Sequence, residues 1–148
     1  MNYEIVKLEK KVVIGIENRT GNTDPECQKI IGGLWQQFMG ENIAQSLKNK
    51  SNDYCIGLYC DYDFKNMTYT VMAGAEVTEN QNPELTQRII PAGNYAMFRV
   101  TGDVVNDVAD AWNYIWQLPL DRSFAADFEE YISNDNGVAE INIYVALK

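Results

Sequence analysis

Apolar residues recur in this chain with two different spacings, one typical of strands and one of helices. Residues 3–19 are rich in Val and Ile and predict a strand, interrupted near Lys10 and Lys11. Asp24 and Pro25 then predict a helix start, since Asp caps free N–H groups and Pro fits the first turn. The predicted helix is amphipathic, with one apolar stripe formed by Cys27, Ile30, Ile31, Leu34, Trp35 and Phe38.

A hairpin is predicted after this helix. A short helix over residues 41–47 leads into strands 54–61 and 67–77, which are joined by a turn at 63–66. The polar run at 80–83 is the best candidate for a linker.

The second part of the chain repeats this order of elements. A strand pattern covers residues 86–101 and is interrupted at Pro91. A second helix ends before Pro119, and its apolar stripe consists of Val104, Val105, Val108, Ala111, Trp112, Ile115 and Trp116. The chain closes with a predicted hairpin of residues 128–133 and 139–147.

Short internal matches indicate that the two parts are copies of one unit. They align Thr20 with Thr101 and Trp35 with Trp116 at an offset of 81, and residues 56–59 with 128–131 at an offset of 72. We therefore predict a single domain over residues 1–148, with β-α-β-β repeats at about 1–79 and 84–148. The expected fold class is α+β: one antiparallel sheet with both helices on one face and the other face open.

Composition narrows the range of functions. A chain of 148 residues with 46% hydrophobic and 22% charged residues is an ordinary globular domain. Its net charge of −9 repels phosphate, so we expect no direct contact with nucleic acid. The chain has no His, which excludes His-based triads and His zinc sites.

The three cysteines do not form a metal or disulfide motif. Cys27, Cys55 and Cys60 are odd in number and lack a CxxC pair, so we expect reduced, structural thiols and a cytoplasmic protein. We predict no metal site, no cofactor, no export leader at the start of the chain and no membrane contact.

The strand that begins at Phe128 carries the main candidate residue. Alternation places Phe128, Glu130 and Ile132 on one face and Glu129 and Tyr131 on the other. We assign Phe128 and Ile132 to the helix side, which leaves Glu129 and Tyr131 on the open face.

Two further tyrosines are expected beside this carboxylate. Tyr59 is the repeat equivalent of Tyr131, and the last strand presents Tyr144 while it buries its Ile and Val residues. Aromatic faces around a carboxylate form a pocket floor that attracts organic cations. The alternative is that Glu129 is an ordinary solvated strand residue. Trp112 and Trp116 are interpreted as core residues that can also reach the rim of such a pocket.

Several short motifs together resemble the GyrI-like small-molecule-binding domain. They are Met72–Val77 at the end of a Gly-containing strand, Trp116–Pro119 at a helix end, and the Phe-Glu-Glu-Tyr run 128–131. This domain is the effector-binding part of multidrug-responsive transcription regulators. The resemblance implies a ligand cleft between two pseudo-symmetric halves, with Glu129 at its base and Tyr144 at the aromatic position of the last strand.

The leading hypothesis is a stand-alone binding protein for amphipathic, cationic aromatic compounds, acting as a sensor or in sequestration. It assigns no catalytic residue, and Tyr59, Tyr131, Tyr144, Trp112 and Trp116 join Glu129 as ligand contacts. One alternative is a hydrolase of strained electrophiles with Glu129 as general base. Another is a gyrase-inhibitor-like subunit with a protein partner, and a homodimer is also allowed. The first strand starts almost at Met1, so we expect no DNA-binding helices before it.

Overall fold

Eight strands and three helices make up residues 2–148, the part of the chain that the computed structural model describes. The elements are β1 Tyr3–Leu8, β2 Lys11–Thr20, α1 Cys27–Gly40, α2 Ile43–Ser46, β3 Cys55–Asp63, β4 Thr68–Val77, β5 Thr86–Ile90, β6 Gly93–Gly102, α3 Asn106–Gln117, β7 Asp127–Asp135 and β8 Val138–Ala146. The strands form one sheet in the order β1-β6-β8-β7-β3-β4-β2-β5, and every neighbouring pair is antiparallel. The predicted α+β class is confirmed.

The sheet curls until its two ends approach each other. Only Glu9 and Lys10 connect β1 to β2, although these strands occupy the first and seventh positions of the sheet. Six strand spacings in a flat sheet amount to roughly 29 Å, whereas two linking residues span about 11 Å. Pro91 and Ala92 impose the same constraint on β5 and β6.

Because the sheet curls, its inner face is buried and forms a separate hydrophobic core. Residues from all eight strands meet there: Val6, Leu8, Val13, Ile56, Leu58, Cys60, Met72, Ile90, Tyr95, Phe128, Tyr144 and Ala146. No helical residue takes part in this cluster among the described residues. Both faces of the sheet are therefore buried.

Helices α1 and α3 cover the outer face side by side. Leu34 and Phe38 of α1 pack on β2 and β4, while Ala111 and Ile115 of α3 pack on β6 and β8. In the described part of the chain, no helix is long and apolar enough to span a bilayer.

The strand registers support the duplication. Residues Lys11–Thr20 of β2 correspond to Gly93–Gly102 of β6, so the predicted match of Thr20 with Thr101 is wrong by one residue. Each edge strand pairs across to the other half: β1 with β6, and β5 with β2. In the central β3–β7 pair, Gly57 lies directly opposite Glu129, its repeat equivalent. The approximate two-fold axis therefore passes between these two residues.

The predicted equivalence of Trp35 and Trp116 is wrong. Trp35 packs edge-on against Tyr131 with ring centroids 5.2 Å apart, and Trp112 packs in the same way against Tyr59 at 5.6 Å. Since Tyr59 and Tyr131 are equivalent, the counterpart of Trp35 is Trp112. The loop between strand and helix differs in length in the two halves, which shifts the helix alignment.

The assignment of faces on β7 is also wrong. Phe128 lies on the inner face, and Glu129 and Tyr131 face the helices. The sequence also predicts Cys60 on the helix-facing side of its strand, but Cys60 points into the inner core. Alternation shows which residues share a face of a strand, but it does not show which face is buried. In this sheet both faces are buried.

The described residues contain no disulfide. Cys27, Cys55 and Cys60 are all free thiols. Burial raises the pKa of the Cys60 thiol to about 11, so it stays protonated at neutral pH.

Two local predictions about α1 need correction. The helix begins after Glu26, and Asp24 accepts a hydrogen bond from the Glu26 N–H at 2.9 Å instead of capping the helix. Two glycines inside a helix predict a close approach of another element, but a Cβ at Gly32 or Gly33 would meet nothing within 4 Å.

A pair of glycine substitutions tests this packing. Gly32→Ala should raise the free energy of unfolding by roughly 1 kcal/mol, because Ala is the better helix former and has free space there. Gly15→Ala should strongly destabilise the protein, because its Cβ would overlap the Ala73 carbonyl of the neighbouring strand. Urea unfolding of both variants measures the difference, and equal effects would contradict the described registry.

Candidate functional site

Glu129 is the centre of the candidate site. Its side chain projects from β7 toward the helices and is only 2% exposed. The Tyr131 hydroxyl donates to Oε1 at 2.6 Å, and the Tyr59 hydroxyl and the Trp112 indole N–H donate to Oε2 at 3.1 and 2.6 Å. No Lys or Arg of the described chain forms an ion pair with this carboxylate.

This environment shifts the protonation equilibria of the cluster. Burial raises the pKa of Glu129 above its ordinary value, and the hydrogen bonds from Tyr131, Trp112 and Tyr59 oppose that rise. The pKa values of Tyr59 and Tyr131 are raised mainly by burial and then by the nearby carboxylate. The tyrosines therefore remain neutral donors to Glu129.

Gly57 provides the room for the carboxylate. A Cβ at this position would lie 2.9 Å from Oε1 of Glu129 and 3.1 Å from the Trp35 ring. A side chain at Gly57 would push against both groups. The Gly in the middle of a predicted strand was the sequence signal for this close approach.

Four aromatic side chains enclose the carboxylate from both halves of the molecule. Trp35 and Trp112 come from the two helices, and Tyr59 and Tyr131 come from the two central strands. The rings meet edge to face at interplanar angles of 73° and 72°. The Glu129 site thus lies between the halves, on the approximate two-fold axis.

Two predicted site residues lie elsewhere. Tyr144 is on the inner face, where it stacks on Phe128 at a centroid distance of 4.6 Å, so the sheet separates it from Glu129. The reason is the register, which pairs Tyr144 with Phe128 and pairs Glu129 with Ile143. Trp116 lies near the end of α3 and stacks with Phe124 instead of reaching Glu129.

A second buried acid lies on the same face, and sequence reasoning missed it. Asp127 is fully buried and accepts hydrogen bonds from Arg122 at 2.7 Å, from the Tyr62 hydroxyl at 2.8 Å and from the Ala146 N–H at 2.8 Å. In the sequence, Asp121 and Arg122 have the appearance of solvated turn residues. The two-residue spacing of Asp127 and Glu129 was the available signal, because it places both acids on one strand face.

Aromatic rings fill the space above Glu129. Two surface depressions, of about 430 and 440 Å³, lie along α1 and beside β1, and Glu129 lines neither. A bulky molecule can reach the carboxylate only if the surrounding rings move. No group of three or more potential metal ligands occurs among the described residues.

Comparison with known proteins gives the family. A model of the integron-associated effector binding protein family, Cass2, matches residues 4–147. The chain belongs to this family. No curated protein sequence matches it significantly.

Three solved structures show the same fold as this Cass2 family member. An integron cassette protein from the mobile metagenome of Vibrio cholerae is 28% identical, with a TM-score of 0.80, and the alignment covers 99% of this chain and 95% of that one. SAV2435, solved with bound tetraphenylphosphonium, is 21% identical, with a TM-score of 0.82 and coverage of 100% and 94%. The C-terminal domain of EcmrR is 17% identical, with a TM-score of 0.59 and coverage of 100% and 99%.

The tyrosine hydrogen bonds can be tested through the pKa of Glu129. Tyr131→Phe removes the 2.6 Å hydrogen bond that stabilises the charged carboxylate, so the pKa of Glu129 should rise further. Carbon-detected NMR titration of the Glu side-chain carboxyl groups measures the shift. Tyr144→Phe, on the other side of the sheet, is the control and should leave that titration unchanged; equal shifts in both variants would contradict the described network.

Proposed function

We propose that this protein binds amphipathic, cationic aromatic compounds between its two halves, with Glu129 pairing with the positive charge. The observation that carries the proposal is the buried carboxylate, which is held by three neutral donors and lacks a basic partner in the described chain. Such a site supports a sensor or a sequestering protein.

Electrostatics favour a cation as the occupant. A carboxylate out of water loses solvation, and the hydrogen bonds from Tyr131, Trp112 and Tyr59 replace only part of it. A ligand cation would supply the missing counter-charge at low local dielectric. The net charge of −9 also attracts cations toward the protein from a distance.

The aromatic residues fit the rest of such a ligand. In the free protein, two aromatic pairs pack around Glu129: Trp35 with Tyr131, and Trp112 with Tyr59. A ligand that separates α1 from α3 would break the bond between Trp112 and Glu129 and would stack between these rings. Ring faces attract organic cations by about 0.5–2 kcal/mol per contact.

The family supports the binding of a small effector, and SAV2435 with its bound tetraphenylphosphonium supports a cationic aromatic class. The hydrolase alternative has no separate support, since Glu129 is enclosed and already accepts three hydrogen bonds.

Substitution of Glu129 by Gln is the direct test. The change keeps the shape and removes the charge, so the affinity for tetraphenylphosphonium should fall by about 1–3 kcal/mol, or roughly 5- to 150-fold. Isothermal titration calorimetry measures the loss. Tetraphenylborate has the same shape and the opposite charge, and it should bind the unaltered chain far more weakly than tetraphenylphosphonium does.

Glu130→Gln is the matched control for this experiment. Glu130 is the next residue on the strand and is also buried, but it faces the inner side. Its substitution should leave tetraphenylphosphonium binding unchanged. Equal losses in the two variants, or equal binding of the cation and the borate, would refute the proposed role of Glu129.

The raised pKa of Glu129 predicts a pH dependence of binding. Protonation removes the counter-charge, so the affinity for tetraphenylphosphonium should fall as the pH drops below that pKa and should level off at the loss expected for Glu129→Gln. The fall should begin above the ordinary Glu pKa near 4.3. Glu129→Gln should show no such dependence, and an unchanged slope in that variant would assign the titration to another group.

The raised pKa of Glu129 also makes the stability of the free protein depend on pH, in the direction opposite to ligand binding. Because folding favours protonated Glu129, its contribution to stability is full below the unfolded-state pKa and is lost as pH rises through the folded-state value. Unfolding curves with and without tetraphenylphosphonium should therefore diverge with increasing pH.

A further inference from the structure

Arg122 packs against two aromatic rings near the end of α3. Its guanidinium carbon is 4.3 Å from the centroid of the Trp116 ring and 4.2 Å from that of the Phe124 ring. Its Nη2 donates to Asp127 at 2.7 Å, and the two side chains are 5% and 0% exposed. The ion pair is therefore buried under rings that lie near the surface.

Two donors of this guanidinium are unused. Nε and Nη1 of Arg122 are buried and have no hydrogen-bond partner in the described chain. Buried polar groups are nearly always paired, since an unpaired one has lost its water without replacement. The ion pair with Asp127 uses only Nη2 of the guanidinium. Nε and Nη1 remain for another acceptor.

The Arg122–Asp127 ion pair lies next to the Glu129 site. Asp127 and Glu129 are two residues apart on the same face of β7, a separation of about 7 Å along the strand. The Tyr62 hydroxyl donates to Asp127 as the Tyr59 hydroxyl donates to Glu129, and both rings contact Tyr69. A ligand of ordinary drug size can span both positions.

The negative charges near Arg122 determine which ligand group can accept its hydrogen bonds. Asp127 already neutralises Arg122, and Glu129 adds negative charge nearby. A carboxylate on the ligand would be repelled by both acids, whereas a neutral carbonyl oxygen can accept from the free donors without that cost.

The outer wall of this position is one aromatic layer thick. Trp116 is 43% exposed, and Phe124 is half-buried and also contacts exposed Phe64 at 4.8 Å. Movement of one ring would open the unpaired edge of Arg122.

From these observations, and resting on the proposed binding of cations at Glu129, we propose a second polar anchor in the same ligand site. Arg122 donates from Nε and Nη1 to a carbonyl oxygen of the ligand, and the neighbouring rings of Trp116 and Phe124 pack on the ligand's apolar part. The preferred class is then an aromatic organic cation that carries an ester, amide or ketone oxygen.

Two dyes of equal charge test this preference in the unaltered chain. Tetramethylrhodamine methyl ester and tetramethylrosamine share the same cationic ring system, and the first carries an ester carbonyl that the second lacks. Fluorescence anisotropy titrations should show at least fivefold tighter binding of the ester. Equal affinities, or tighter binding of the rosamine, would overturn the assignment of Arg122.

The variant Arg122→Lys connects the preference to this residue. Lys keeps a positive charge for Asp127 but lacks the planar set of donors. The ester should lose about tenfold in affinity, and the rosamine should change by less than twofold. Arg99→Lys, at an exposed Arg, is the matched control and should change neither. If Arg122→Lys unfolds, as near-UV circular dichroism would show, the comparison of dyes in the unaltered chain decides alone.

The outcomes separate this inference from the proposed function. If Glu129→Gln weakens both dyes equally while the unaltered chain does not distinguish them, cation binding stands and the Arg122 anchor is refuted. If neither dye binds although tetraphenylphosphonium does, the anchor is also refuted. If none of the three cations binds, the proposed function fails first.

Discussion

The burial of one carboxylate without a counter-charge governs the arrangement at the middle of this protein. Glu129 needs donors because water is excluded, and Tyr59, Tyr131 and Trp112 supply them from two strands and a helix. The same need explains Gly57, whose missing side chain leaves space for the carboxylate. The hydrogen bonds offset only part of the cost of burying the charge, so the pKa of Glu129 stays above its ordinary value.

The curled sheet explains which inferences from the sequence succeeded. The positions of strands and helices follow from local apolar periodicity, and the observed elements agree with the predicted ones within a few residues. The pairing of Glu129 with Tyr131 and Tyr59 also follows, because alternation and the repeat fix it. The face assignment does not follow, since it depends on the short β1–β2 and β5–β6 connections, which close the sheet and bury both sides.

The long-range contacts of the site lay beyond sequence reasoning for a similar reason. Tyr144 and Trp116 are residue types that suit an aromatic pocket. The strand register, however, stacks Tyr144 on Phe128, and the helix phase stacks Trp116 on Phe124. Trp35 was assigned to the buried stripe of its helix, and its contact with Tyr131 depends on how two helices sit on one sheet. Asp127 with Arg122 required knowledge of where a loop returns to the sheet.

The position of Gly57 opposite Glu129 has a consequence for stoichiometry. In a symmetric dimer of half-length chains, the same strand residue would face its own copy across the axis. Two Glu residues with Cβ atoms about 5 Å apart would then repel each other through their carboxylates. Joining the halves in one chain allows one copy to be Gly and the other Glu. The pseudo-symmetric structure thereby has one carboxylate at the axis, with no identical neighbour to which its protonation could couple.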